Sequence, residues 1–536
     1  MLPCTAVMSG SCLRVGWNSA SHPLTKQSPE FNHPGAIVGP RRPLRAWQDR
    51  LRSGRSTTAA SASRKGFPIM DQHFDLVVVG SGSGNSVVDE RFADWKVAIV
   101  EKGVGPLGSY GGTCLNVGCI PTKMFVHTAD TADAPKHGAA LGVDLALRGV
   151  DWPAVRDRIF GRIDPIAAGG ERYRATGSEN VTLYRGAARF TGERRLTVET
   201  AEGPTTITAD RVVVAVGSRP DIPDVPGLEP GIGYHTSDTV MRMERLPRRM
   251  AVLGSGFVAA EMAHVFSALG VDITLIARGG VLLRHEDLDV ARRFTELARA
   301  GWDVRLNRKL SGIARAGDEL VLDLEGPGGR EALETDELLV ATGRRPNSDL
   351  VDAAAGGLAL HPDGRIVVDG RQETSVPGVW ALGDVSSPWQ LKHVANHEAR
   401  TVQHNLLHPE DPWTSDHRYV PHAVFSSPRI ASVGLTEQQA QALGRTYVSS
   451  TQDYSRIAYG WAMEDTTSFA KILADPATGE LLGAHIIGPE APTLIQTLIQ
   501  AMSFGLDARS MARRQYWIHP AMPEVIENAL LDLALD

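Results

Sequence analysis

Two cysteines stand five positions apart in Gly111-Gly112-Thr113-Cys114-Leu115-Asn116-Val117-Gly118-Cys119-Ile120-Pro121-Thr122-Lys123. On a regular helix, residues five apart point about 140° away from each other. A disulfide needs Cα atoms about 5.5–6 Å apart with converging Cβ vectors. A bond between Cys114 and Cys119 therefore predicts a distorted first turn, which Gly118 permits and Pro121 helps to fix. Such a bond is more easily reduced than a buried staple, so the pair can shuttle between oxidised and reduced forms. A stapled turn, or two unrelated thiols, is the plainer reading. A second reactive group is His519 in His519-Pro520-Ala521-Met522-Pro523-Glu524. An imidazole near pH 7 can take and return a thiol proton, and a carboxylate such as Glu524 can hold its tautomer. With seventeen histidines in the chain, a satisfied core histidine is the competing reading.

The segments around these residues decide between the readings. Phe74-Asp75-Leu76-Val77-Val78-Val79 is an apolar run of the kind a buried parallel strand shows. It enters Gly80-Ser81-Gly82-Ser83-Gly84-Asn85 and a helical stretch, and Glu101 ends the next strand about 20 residues on. That spacing puts an acid on the ribose hydroxyls of a dinucleotide and its pyrophosphate on a helix N-terminus. The third glycine of the fingerprint is Asn85, which predicts looser or rearranged helix–strand contact there. The cysteine pair follows this fingerprint, where redox chemistry is expected. A second copy runs from Met250 through Gly254-Ser255-Gly256-Phe257-Val258-Ala259. Its second strand, Val271 to Ile276, ends in Ala277-Arg278 with Arg284 beyond, and no acid. Arginines there suit a 2′-phosphate and predict NADPH over NADH. Two solvated surface arginines are the alternative. Three further strands end in glycine turns, at Gly217, Gly343 and Gly383, and Asp384 is placed to accept from a ribityl hydroxyl.

Composition bounds the answer. The 536 residues allow three or four domains, and 42% apolar with 22% charged content is that of a globular protein. No run approaches the roughly 18 apolar residues of a membrane span, and a formal charge of −7 gives no reason to expect nucleic acid. Four cysteines in all predict a reducing, cytoplasmic setting. Residues 1–69 are rich in Pro, Ser, Gly and Arg, with Glu30 and Asp49 the only acids before Met70. That composition predicts disorder and leaves Cys4 and Cys12 as bystanders. A start placed too far upstream of Met70 is the simplest account; a transit peptide is the alternative, and the prolines argue against it.

From about Phe74 to its C-terminus the chain resembles the pyridine nucleotide–disulfide oxidoreductases of the glutathione reductase and lipoamide dehydrogenase type. The resemblance implies an α/β fold: two Rossmann-like FAD- and NAD(P)-binding domains plus a C-terminal α+β dimerisation domain. It implies an FAD-binding part over 70–217, an NADPH-binding domain over 218–346, a return to the FAD domain over 347–418 and an interface domain over 419–536. Lys123 and Glu261 match the ion pair kept beside the flavin, and Phe257 the aromatic that shields it until NADPH enters. Gly80, Gly82, Ser83, Gly84, Glu101, Thr113 and Asp384 fall at FAD contacts; Gly254, Gly256, Phe257, Arg278, Arg284 and Gly343 fall at nicotinamide-nucleotide contacts. His519 and Glu524 match a pair that projects into the active site of the other subunit, so a homodimer with shared sites is implied. Electrons would pass from NADPH through FAD to Cys119, with Cys114 attacking a small-molecule disulfide and Cys119 resolving it.

The substrate is the harder question. Asp89 and Glu90 stand where glutathione reductase places an arginine, so like charge would repel glutathione while hydroxyl-rich neutral groups could be bound. The chain ends Leu533-Ala534-Leu535-Asp536, without the extra thiol pair of mercuric reductase and the large thioredoxin reductases. Gly80 to Ser86, Pro121 to Val126, His393 to Arg400 and Tyr459 to Asp465 give a finer resemblance to the mycothione reductases, which reduce the disulfide of the sugar–inositol thiol mycothiol. The loop Gly103 to Tyr110 is longer than the family's usual one. A dihydrolipoamide dehydrogenase running oxidatively with NAD remains an alternative, as does a non-catalytic flavoprotein. His393, His397 and His404 recur near helical spacing without a metal-site pattern and are expected to be structural or near the flavin.

Overall fold

Phe74, Leu76, Val77 and Val78 are fully buried, as strand residues covered on both faces must be. Their strand, Gln72–Val79, pairs in parallel with Val97–Glu101 on one side and with Gly203–Val214 on the other. The computed structural model describes residues 72–536. The disorder expected over 1–69, with Cys4 and Cys12, lies outside the described residues. Val181–Arg185 extends the sheet in parallel beyond Val97–Glu101, and the antiparallel strands Ala187–Gly192 and Arg195–Thr200 extend it beyond Gly203–Val214. Val379–Ala381 returns from far along the chain to pair in parallel with Gly203–Val214, which brings Asp384 to the same sheet end as the first glycine turn.

A second, four-stranded parallel sheet comprises Asp303–Arg305, Asp272–Ile276, Arg249–Leu253 and Glu337–Val340, in that order. The chain enters and leaves this region through Ser218–Pro220 and Arg344–Pro346, which pair with each other antiparallel. Both crossings therefore run side by side as one ribbon. The C-terminal part is an antiparallel sheet ordered His422–Val424, Ile430–Gly434, Leu481–Ile487, Phe469–Ala474, Val448–Asp453. Its core is closed by the helices Ala491–Phe504 and Glu524–Leu531, through Leu498, Ile526 and Ala529.

Two helices position the chemistry. Cys119–Asp133 packs Phe125, Val126 and Ala129 into the core that holds Ala259, Ala263 and Phe266 of the helix Phe257–Ala268. Asp130 fixes this pairing by hydrogen-bonding His264 at 2.8 Å and Arg429 at 2.6 Å.

The second sheet's domain is tied to the C-terminal sheet by a buried cluster. Lys471 Nζ donates to Asp287 at 2.9 Å and to Asp289 and Glu437 at 2.6 Å each. Burial alone would depress Lys471, but those carboxylates hold its ammonium above the usual lysine range. Removing the cation leaves three converging carboxylates, of which Asp287 is fully buried. Lys471→Met is expected to cost about 3–5 kcal/mol and to lower the thermal unfolding midpoint by several degrees. An unchanged midpoint would mean that Lys471 does not compensate them.

The stretch after the first glycine turn differs from expectation. In place of one helix there are two single 3₁₀ turns, Gly84–Val87 and Glu90–Phe92. Of the two outcomes expected at Asn85, a looser or a rearranged helix–strand contact, the rearranged one is found. A Cβ on the preceding Gly84 would sit 2.6 Å from Ala215 Cβ and 3.1 Å from Val78 Cγ1. The close approach has moved one residue earlier, because a 3₁₀ turn presents a different residue to the sheet from the one an α-helix would.

Candidate active site

The cysteines do not share one distorted turn. Cys114 lies in the short helix Gly112–Asn116, and Cys119 is the first residue of Cys119–Asp133; the chain breaks at Val117 and Gly118. The break swings the two side chains together, where a continuous helix would have splayed them. They stand as free thiols hydrogen-bonded to each other. That bond, opposed by burial and helped by the Lys123 ammonium, pulls Cys119 down to about 7. The same bond, then burial, pushes Cys114 up. The shared proton therefore belongs to Cys114 and the negative charge to Cys119, which also gains from its helix N-terminus. In the reduced, flavin-free protein, ultraviolet thiolate absorbance is expected to rise with pH through a midpoint near 7. Cys114→Ala is expected to raise that midpoint toward about 8.5, the free thiol value. A midpoint unmoved by the substitution would remove Cys114 as the cause.

One turn beyond Cys119, Lys123 Nζ donates to both carboxylate oxygens of Glu261 at 2.8 Å. The pair expected from the sequence is thus formed between the two packed helices. Glu261 Oε1 also accepts from the Phe425 backbone N–H at 2.9 Å, and Lys123 lies 4.3 Å from the Phe425 ring centroid. Phe425 follows the strand His422–Val424 and carried no sequence signal, since no motif surrounds it. A cavity of about 460 Å³ beside the pair is lined by Cys119, Ile120, Lys123, Met124, His127 and Arg158.

The cysteine loop meets the first glycine turn backbone to backbone. Gly112 has φ +73°, and a Cβ there would lie 2.6 Å from Gly82 Cα. Thr113 follows on the same short helix. Gly80, also left-handed at φ +106°, packs on the Ala215 carbonyl. Glu101 is buried and turned toward this loop, accepting from the N–H of Ser81 at 2.7 Å and of Gly103 at 2.5 Å. Lys392 Nζ donates to Ser83 Oγ at 2.8 Å, and its charge also acts on Cys114; sequence reasoning missed it. Asp384 accepts from Ser218 Oγ at 2.6 Å, and burial pushes its carboxyl up. It keeps lone pairs for hydroxyl donors. A bare glycine turn, a recessed acid at the strand end and a second recessed acid at the same sheet edge fit a flavin dinucleotide.

The second turn is built alike. Gly254 has φ +145°, and a Cβ there would collide with the Ala341 carbonyl; Gly343 has φ +138°. Gly256 caps the twelve-residue helix that starts at Phe257 without a side-chain hydrogen bond, so its first N–H groups can face an anion. Phe257 is exposed. Arg278 and Arg284 are exposed beyond the second strand, with no carboxylate paired to either among the described residues. These groups fit a phosphorylated nicotinamide nucleotide.

His519 Nδ1 lies 2.6 Å from Glu524 Oε1, and Glu524 Oε2 accepts from Ala521 N–H at 3.1 Å. The imidazole side chain is 72% exposed and hydrogen-bonds neither cysteine of its own chain. Asp89 and Glu90 do not form the free acidic pair that the sequence predicts. Arg91 grips Asp89 through Nε at 3.0 Å and Nη2 at 2.6 Å and holds its carboxyl below the usual range. Asp89 is therefore ion-paired and not a free acid, while both it and Glu90 are exposed. His393 meets the Pro421 carbonyl, His404 meets the Asp411 carbonyl and stacks on Trp413, and His397 accepts from Asp416 N–H. In the long loop, Val104 and Ser109 close a small hairpin, and Tyr110 after it is buried, its hydroxyl donating to Asn85 Oδ1 at 2.8 Å.

Among the described residues, no helix is long and apolar enough to cross a membrane. Residues 74–399 match the family profile described as pyridine nucleotide-disulphide oxidoreductase, and 420–530 match its dimerisation domain. A mycothione reductase of Mycobacterium tuberculosis is 52% identical over 86% of this chain and 99% of that protein. A dihydrolipoyl dehydrogenase of Halobacterium salinarum is 33% identical over 85% of this chain and 95% of its own length. Among solved structures, the Cu(II) complex of the HOCl-induced flavoprotein disulfide reductase RclA from Escherichia coli superposes with a TM-score of 0.76. It is 27% identical and covers 86% of this chain and 99% of its own.

Proposed function

The chain belongs to the pyridine nucleotide-disulphide oxidoreductase family, and on that premise we propose that it is an NADPH-dependent flavoprotein reducing mycothione to mycothiol. The observation that carries the reaction is the Cys114–Cys119 pair at the junction of two helices, one turn from the Lys123–Glu261 ion pair, and the lowered proton affinity of Cys119 supports it. The substrate rests on 52% identity across nearly the full length of a mycothione reductase. The FAD part comprises 70–217 and 347–418, the NADPH domain 218–346 and the dimer interface 419–536. FAD belongs to the turn Gly80, Gly82, Ser83, Gly84 with Glu101, Thr113 and Asp384. NADPH belongs to Gly254, Gly256, Phe257, Arg278, Arg284 and Gly343.

When bound, the flavin supplies a two-electron relay from the nicotinamide to the sulfurs. The chain's own residues then handle the exchange. Cys114 gives its proton to an imidazole and attacks one substrate sulfur, forming a mixed disulfide and releasing the first thiolate. That thiolate takes the proton back from the imidazole. The Cys119 thiolate attacks the Cys114 sulfur, closing the protein disulfide and releasing the second thiolate. The imidazole is His519 of a second copy, oriented by Glu524, since the exposed His519 has no hydrogen bond to the cysteines of its own chain. The two active sites are thus shared across a homodimer. The setting is a reducing cytoplasm, with no nucleic-acid or membrane partner.

The test is turnover of purified holoenzyme with NADPH or NADH against mycothione, glutathione disulfide and lipoamide. The expected result is NADPH-driven reduction of mycothione well above the other two. Replacing both Arg278 and Arg284 by alanine is expected to cut the preference for NADPH by tens of fold, the equivalent of about 2 kcal/mol. Preferential NAD-linked oxidation of dihydrolipoamide would replace this reading with the dehydrogenase one.

A further inference from the structure

The break after Val87 leaves backbone carbonyls that a continuing helix would have satisfied. Those of Asn85, Ser86, Val87 and Val88 would each have accepted from an N–H four residues on. Two distant side chains accept that duty. Arg174, on the helix Trp152–Thr176, donates through Nη2 to the carbonyls of Asn85 at 2.9 Å and Val88 at 2.7 Å. Its Nε donates to Asn85 Oδ1 at 2.9 Å, which also accepts from Tyr110 Oη at 2.8 Å. Gln403, on the helix Lys392–Leu407, donates through Nε2 to the Val87 carbonyl at 2.9 Å and more weakly to that of Ser86 at 3.4 Å.

Arg174 is 6% exposed and Gln403 is 9% exposed. Among the described residues no carboxylate pairs with Arg174; its neighbour Glu171 is held by Arg185. A buried guanidinium without a counter-ion is costly unless its hydrogen bonds are met and something nearby gains from its charge. All its acceptors here belong to Asn85, in the first 3₁₀ turn after Gly80 to Ser83, and to Val88, which caps that turn. Asn85 occupies the place of the fingerprint's third glycine, and its side-chain oxygen supplies one of those acceptors.

We propose that Arg174, assisted by Gln403, is the positioning residue of the flavin-binding turn. It caps the broken helix, and its fixed positive charge behind the turn favours an anionic dinucleotide in front of it. The inference rests on the reading that this first turn holds FAD. Asn85 follows from the same arrangement, since a glycine there would remove the acceptor that orients the guanidinium.

The test compares full-length wild-type protein with Arg174→Met, Arg174→Lys and Gln403→Leu. FAD affinity is read from flavin fluorescence released on dilution of the holoprotein, and NADPH affinity is read separately. Arg174→Met is expected to weaken FAD binding about tenfold or more, and Gln403→Leu several-fold. NADPH affinity and the far-ultraviolet circular dichroism should be unchanged. Should Arg174→Met fail to fold, Arg174→Lys decides: it keeps the charge but not the fork, and an intermediate loss confined to FAD is expected. FAD affinity within about twofold of wild type in each soluble Arg174 variant, or a parallel loss of FAD and NADPH affinity, overturns the proposal. Wild-type protein that binds no FAD would instead overturn the reading it rests on.

Discussion

Replacing Cys114 by serine is expected to lower disulfide turnover by at least about three orders of magnitude while sparing NADPH-driven flavin reduction. A serine hydroxyl can replace the hydrogen bond to Cys119 but cannot form the mixed disulfide that exchange requires. Cys119 keeps its place at the helix N-terminus near Lys123, so the cofactor side of the site is preserved. Cys119→Ser should lose turnover to the same extent, because nothing then resolves the mixed disulfide. The measurement is steady-state NADPH oxidation with mycothione, set beside anaerobic flavin bleaching by NADPH alone. Turnover that survives Cys114→Ser would remove this pair from the reaction.

His519→Gln is expected to reduce turnover about 10²–10⁴-fold, the usual worth of a positioned general acid–base group. Glutamine keeps a polar side chain near Glu524 but cannot carry the proton. Flavin reduction by NADPH should be untouched, since His519 lies on the C-terminal domain and is bonded only within its own segment. Mixed dimers sharpen the test. A Cys114→Ser chain paired with a His519→Gln chain assembles one intact site if His519 serves the other copy, and none if it serves its own. Recovery of roughly half the wild-type activity per mixed dimer is the outcome for shared sites; inactive mixed dimers would place cysteines and imidazole in one chain. The 72% exposure of His519 in the single chain is the observation behind this expectation.

Much of the architecture was legible in the sequence because its signals are local. Buried parallel strands announce themselves as apolar runs, and Gly80 and Gly254 mark left-handed turns whose backbone leaves no room for a side chain. The Lys123–Glu261 pair was reached through resemblance alone, for its members lie 138 positions apart. Local reasoning failed where the chain leaves a regular element. The spacing of Cys114 and Cys119 required distortion, yet it could not distinguish a bent turn from two helices meeting at Val117 and Gly118. The acids at Asp89 and Glu90 read as a negative patch until Arg91 folded back onto Asp89.

The sequence by itself determined the strands, the two glycine turns, the thiol pair and the histidine–glutamate segment, since each depends on residues within a few positions of one another. Only the tertiary structure decided that Phe425 and Lys392 join the site, and that Arg174 and Gln403 finish the broken turn. The capping groups sit 86–89 and 316–317 residues from the carbonyls they meet. The reason is physical. Proton affinities and hydrogen-bond partners depend on distances through space, and those distances are set by packing the whole core, on which separation along the chain is silent.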